Sequence, residues 1–289
     1  MKVLVLGIDG MIGHKIAQSI QNNYELIGTS RRDIKNQDIG LNQGKIIKHD
    51  FLKHNLESLF KNVSPSVIIN CVGITPRRGI NESIKNSELL NSKLPHLIDN
   101  WSKLNNSKLI HFSTDCVFSG DKGNYYENSN KDADDIYGIT KGKGEISNNH
   151  SLTIRSSMIG RELINFTELF EWLYSMREKS VEGYSQVIYS GITTVRMGKI
   201  INKILKNNVS LSGLFNISSI PISKHELLQK LSNAFDLNLD INENKNIKSN
   251  KVLISKKFTE ITGINPPHWD ELIEEFKIDC DKFKSLYKN

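Results

Sequence analysis

The chain is predicted to adopt an α/β fold, a doubly wound parallel sheet followed by a smaller mixed α/β unit. Three observations carry this expectation. Apolar strand-like runs alternate with amphipathic stretches through the first half. The first run leads directly into clustered glycines that open a helical pattern, and after Gly160 the regular alternation lapses. Strands separated by helical crossovers bury both of their faces, which is the arrangement of a parallel sheet covered on each side.

Taken in order, 2–6, 24–29, 46–50, 67–73, 108–114 and 151–158 read as strands. Between the fourth and fifth, a stretch from about Asn81 to Asn105 places Leu89, Leu90, Leu94, Leu97, Ile98, Trp101 and Leu104 at near-helical spacing, with a bend expected at Pro95. A Gly- and Asn-rich loop, Ser119 to Asp135, has the length and lack of periodicity typical of functional loops. Beyond Gly160 come a helix from about Phe166 to Met176, a turn at Gly183, a helix from about Val195 to Lys206, and a short strand at 214–217. Further helices follow Ser223 and Pro267. Residues 1–158 are expected to form one domain, with 193–217 returning to it and 159–289 forming most of a second; a cleft between them is the expected ligand site.

Composition narrows the function. No apolar run approaches the roughly 20 residues of a membrane span, and no charged and apolar leader precedes the first strand, so the chain reads as cytoplasmic. Cys71, Cys116 and Cys280 form neither an even framework nor a CxxC pair, which argues against disulfides and a metal site. The net charge of +6 comes from lysines scattered among Asn and Ser rather than one stripe, so nucleic acid is not the expected partner. A basic balance suits an anionic small ligand.

Gly7-Ile8-Asp9-Gly10-Met11-Ile12-Gly13 follows the first strand and precedes a helical pattern. Glycines there serve a tight turn, close approach of the backbone to a pyrophosphate and close helix–strand packing, with the helix N-terminus facing the negative charge. Dinucleotide binding on a Rossmann-type domain follows, with Gly7, Gly10, Met11, Ile12 and Gly13 at the cofactor. After the second strand stand Ser30-Arg31-Arg32 rather than a carboxylate, favouring a 2′-phosphate and hence NADP(H). The competing reading leaves the arginines solvated and gives the ribose to Asp33. Asp50 and Phe51, then Cys71, Val72 and Gly73, sit at strand ends where the adenine, riboses and nicotinamide are expected. Tyr137 and Lys141 lie four residues apart, on one face of a helix, just downstream of Ser113-Thr114-Asp115. An ammonium there is expected to pull the phenol's pKa down towards working pH.

These segments, with Ser113 to Gly120, Gly144-Glu145 and Ile154 to Ser157, resemble the extended short-chain dehydrogenase/reductases, and among them the dTDP-4-dehydrorhamnose reductase-like nucleotide-sugar reductases, over essentially the full length. The resemblance implies a Ser/Thr–Tyr–Lys group at Thr114, Tyr137 and Lys141. It implies reduction of the 4-keto group of a nucleotide-linked 4-keto-6-deoxy sugar, UDP- or dTDP-linked, in making a deoxyhexose for surface glycans. It also implies a homodimer. Lys141 is then expected to hold the nicotinamide ribose as well. Thr75, Arg77, Asp115, Cys116, Asn165, Tyr184 and Thr193 are the expected substrate contacts.

Cys116 stands where the rhamnose-pathway reductases generally have an aromatic residue. It resembles the catalytic Cys of GDP-fucose synthase-like enzymes, which leaves a bifunctional 3,5-epimerase/4-reductase beside the plainer reading of a small buried Cys. The regulatory β subunit of methionine adenosyltransferase resembles the same reductases, which leaves a non-catalytic NADP-binding module as a third reading.

Overall fold

The computed structural model describes residues 1–75 and 84–287. Seven strands form the central parallel sheet: β1 (Lys2–Leu6), β2 (Glu25–Ser30), β3 (Lys45–Lys48), β4 (Val67–Asn70), β5 (Lys108–Ser113), β6 (Leu152–Arg155) and β7 (Gly213–Asn216). Their spatial order is β7-β6-β5-β4-β1-β2-β3. The helices are α1 (Met11–Ile20), α2 (Leu56–Val63), α3 (Ile84–Ser87), α4 (Leu94–Leu104), α5 (Ile136–Lys143), α6 (Leu169–Ser175), α7 (Thr194–Asn207), α8 (Lys224–Ala234), α9 (Lys256–Thr262) and α10 (Trp269–Lys282).

The two faces of the sheet can be read from alternate residues, as the period-2 geometry of a strand requires. Val3, Val5, Val67, Ile69, Ile110 and Phe112 join one core with Ile16, Ala17 and Ile20 of α1 and Met197, Ile201 and Ile204 of α7. Leu4, Leu6, Ile68 and Leu109 join the other, with Leu59, Phe60 and Val63 of α2 and Leu94 and Ile98 of α4. Both sets are almost wholly buried. β7 lies beside β6, in parallel, from Gly213 opposite Leu152 to Asn216 opposite Arg155, so the chain leaves the sheet after β6 and returns to it.

The remaining strands form short ribbons: Met158–Ile159 with Ile192–Thr193, Val187–Tyr189 with Ile222–Ser223 and Ser249–Asn250, and Ser180–Tyr184 with Asp240–Asn244. One local expectation is corrected. Gly183 is not in a turn but inside the Ser180–Tyr184 strand, where a Cβ would lie 2.6 Å from Nδ1 of His225; the glycine admits a neighbour rather than a bend. Just before Pro95 the helix passes through a π-helical turn over Glu88–Lys93, closed by the Leu94 N–H on the Leu89 carbonyl, and Pro95 follows in the first turn of α4.

Candidate active site

The strand order reverses between β1 and β4, both of which pair with the sheet in parallel, so a crevice opens at their carboxyl ends. Gly7 leaves β1 with φ of +72°, and a Cβ on Gly13 would lie 2.1 Å from the Gly7 carbonyl oxygen. Only glycine allows α1 to start this close to the strand. The first turn of α1 carries no acidic side chain, so its free N–H groups face the crevice with their positive potential intact.

A cavity of about 180 Å³ runs along this turn. Gly7, Gly10 and Met11 line it from the turn, Ser30, Arg31 and Arg32 from the end of β2, Asp50 and Phe51 from the end of β3, and Cys71, Val72 and Gly73 from the end of β4. Asp9 is held between the two arms: the Ser30 hydroxyl donates to its carboxylate at 2.8 Å and Nε of Arg32 at 3.1 Å. Asp33 is exposed and lines no part of this cavity. Gly13 lies behind the turn as its packing residue. The far wall is Glu162 to Asn165, of which only Asn165 was anticipated, and as a sugar contact; Asn165 and Phe166 both have positive φ, +72° and +54°.

A second cavity, about 360 Å³, continues past Gly10, Met11 and Ile12 and brings Thr114, Tyr137 and Lys141 together. Thr114 caps a short turn over Asp115–Val117, accepting from the Cys116 N–H at 3.1 Å. Asp135 caps α5 by accepting from the Gly138 N–H at 2.8 Å, which sets Tyr137 and Lys141 on the inner face of the helix. Below them Glu145 takes both Nε and an Nη of Arg155 at 2.8 Å and the Ser113 hydroxyl at 2.7 Å. Burial works to raise the Glu145 carboxyl, but Arg155, Ser113 and Lys131 together hold it below the usual range.

Burial raises the Tyr137 phenol well above its ordinary value; Cys116 beside it acts in the same sense and the Thr114 hydroxyl in the opposite one. The expectation that Lys141 pulls this pKa down is therefore not met. Lys141 donates to the Phe112 carbonyl at 2.5 Å instead, and burial lowers its own pKa to about 8, against the charge of Glu145. Burial and then Asp115 push the Cys116 thiol up to about 12.

Of the expected substrate contacts, Thr75 and Cys116 line the second cavity, with Thr75 donating to Glu168 at 3.1 Å. Asp115 lies buried behind it, accepting from the Thr114 hydroxyl at 3.1 Å. Tyr184 and Thr193 line neither cavity: Thr193 caps α7, and Tyr184 ends a ribbon strand. Arg77 lies outside the described residues.

The lining side chains that were not anticipated include Ser157, Glu168, Tyr189 and Lys224, with the Lys224 ammonium 3.6 Å from the centre of the Tyr189 ring. Asn91 was also missed. Its buried amide spans the N–H and carbonyl of Ile74 at 2.9 and 3.0 Å and donates to Thr140 at 3.2 Å, tying the loop after β4 to α5. A lone amide inside an otherwise apolar helical stripe was the signal available for it.

Known proteins resemble this chain along most of its length. The chain is 24% identical over 291 residues to the spore coat polysaccharide biosynthesis protein SpsK of Bacillus subtilis, covering 95% of this chain and 96% of that one. A structure described as a hypothetical dTDP-4-dehydrorhamnose reductase from Sulfolobus tokodaii superposes with a TM-score of 0.80 at 23% identity, over 95% of this chain and 99% of the other. The dTDP-4-dehydrorhamnose reductase of Bacillus anthracis, solved in complex with NADP, superposes at 0.77 with 20% identity, over 96% and 100%. The profile of the RmlD substrate binding domain matches residues 1–234, most of the chain, and the chain belongs to that family.

Proposed function

We propose that this chain is an NADP(H)-dependent reductase acting on the 4-keto group of a nucleotide-linked 4-keto-6-deoxy sugar, in deoxyhexose synthesis for a surface glycan. The observation that carries the reading is the single cavity in which Thr114, Tyr137 and Lys141 meet the end of the glycine turn. The residues suit the dinucleotide on structural grounds: a Cβ-free cradle at Gly7 and Gly13, a helix whose first turn carries no acidic side chain, and two arginines at the far end. Gly7, Gly10 and Met11 would face its diphosphate and Arg31 and Arg32 a 2′-phosphate, while Asp33, turned out of the cavity, is badly placed for a ribose. The Bacillus anthracis relative was solved with NADP, and the names of the relatives favour a dTDP-linked sugar.

When bound, the cofactor supplies a hydride to the ketone carbon. The chain's own part is to place the ketone and handle its proton. Tyr137, kept fully protonated by burial, holds a proton at its hydroxyl for the sugar oxygen, and the Thr114 hydroxyl hydrogen-bonds that oxygen as charge develops. Lys141, fixed by the Phe112 carbonyl, lines the same cavity and is placed to meet the ribose. A thiol held at about 12 is a poor base at neutral pH, which favours plain reduction over epimerisation.

NADPH oxidation screened against dTDP- and UDP-linked 4-keto-6-deoxy sugars tests the reading. Tyr137→Phe is expected to lower kcat by about 10²-fold or more; full activity in that variant defeats the mechanism. Binding of NADPH without turnover on any member of the panel favours the regulatory module. Deuterium entering C3 or C5 from solvent, and lost in Cys116→Ser, favours the epimerase.

A further inference from the structure

After α10 the chain makes a short turn, Lys284–Leu286, and returns Tyr287 to the nucleotide-binding half, where it is buried. Its hydroxyl lies 3.1 Å from Nε2 of His14, 273 positions earlier in the chain. His14 is fully buried in the first turn of α1, with Nδ1 2.8 Å from the Gly10 carbonyl oxygen. A carbonyl only accepts, so Nδ1 carries the hydrogen, Nε2 accepts, and the Tyr287 hydroxyl donates. Burial, with Lys15 adding to it, lowers the His14 pKa to about 3, so one neutral tautomer holds across physiological pH.

The same Tyr287 ring meets Arg161, the residue before the Glu162–Asn165 wall of the first cavity. The Arg161 guanidinium lies 4.6 Å from its centre. Nε of Arg161 donates to Glu171 at 2.8 Å, and that carboxylate oxygen also accepts the Glu162 N–H at 2.7 Å, at the start of the Glu162–Asn165 wall. A buried His–Tyr pair is more often a way of satisfying two polar side chains than a functional device. Two facts set this one apart: the carbonyl it grips belongs to Gly10, which lines both cavities, and the ring's second neighbour anchors the facing wall.

We propose that His14 and Tyr287 are positioning residues for the dinucleotide: Tyr287 locks His14, His14 fixes the Gly10 carbonyl and thus the aim of the turn's N–H groups, and the ring sets the Glu162–Asn165 wall against them. The proposal rests on the cofactor reading above. It predicts that cofactor affinity depends on a residue outside the cavity.

Tyr287→Phe keeps the ring over Arg161 and removes the hydroxyl; Tyr287→Leu removes both. In the full chain, the NADPH Kd measured by fluorescence is expected to rise about fivefold in Tyr287→Phe, the worth of one neutral buried hydrogen bond, and further in Tyr287→Leu. In the ligand-free proteins, amide exchange at 10–13 should quicken in both variants, and at 162–165 only in Tyr287→Leu. An unchanged Kd with unchanged exchange in Tyr287→Phe overturns the proposal, as does faster exchange spread evenly over the central sheet, which marks a merely structural role. If the unmodified protein binds no NADPH, the cofactor reading fails by itself, and the exchange measurements then decide whether the pair orders the turn.

Discussion

Lys141 shows how far burial can change the part a residue plays. Its spacing from Tyr137 suggested a cation that acidifies a phenol, but the ammonium is turned to a backbone carbonyl and its own pKa is lowered to about 8. Between about 8 and the ordinary lysine value, the unfolded chain binds more protons at this position than the folded one. Stability therefore rises with pH across that interval, and Lys141→Met, which removes the group, should flatten the rise in urea titrations. Activity should move the other way, falling as pH climbs through about 8 if the charged form is needed, in a kcat profile measured at saturating cofactor. Spacing could place the two side chains on one helix face; it could not reveal the Phe112 carbonyl beside them, because that contact joins β5 to α5.

At the scale of elements, the buried Arg155–Glu145 pair joins β6 to the end of α5 and carries Ser113 of β5 with it. Removing one partner of a buried pair leaves the other uncompensated, so Glu145→Ala should destabilise the fold by about 3–5 kcal/mol, read by chemical denaturation. The central strands were legible because alternation along β1, β4 and β5 divides cleanly between two cores. The glycine turn was legible for a similar reason, since a strand, spaced glycines and a helix have to occur in that order. Gly183 was not, because a glycine that admits His225 looks the same in sequence as one that bends the chain. Gly13→Ala tests the turn directly: with a Cβ pressed 2.1 Å from the Gly7 carbonyl, it should lose NADPH binding by calorimetry along with some thermal stability.

Across the whole molecule, the two ends of the cleft differ in how they were encoded. The cofactor end comes mostly from strand termini, whose positions follow from the sheet. The other end draws Thr75, Glu168, Tyr189 and Lys224 from four separate segments, and no local pattern announces that they will meet. The shape of that end therefore comes from tertiary packing rather than from a motif.

The return of the chain to the sheet after β6 has a consequence for its synthesis. α1 packs closely on α7: a Cβ on Gly198 of that helix would lie 2.9 Å from the Lys15 carbonyl oxygen and 3.1 Å from Cβ of Ser19, so the two backbones nearly touch. A ribosome that has released only residues 1–160 has made six of the seven strands but not the helix that covers this side. The emerging half-protein must wait with that side of α1 uncovered, and expressed alone it should collect in the insoluble fraction, while extension through β7 should restore a soluble product.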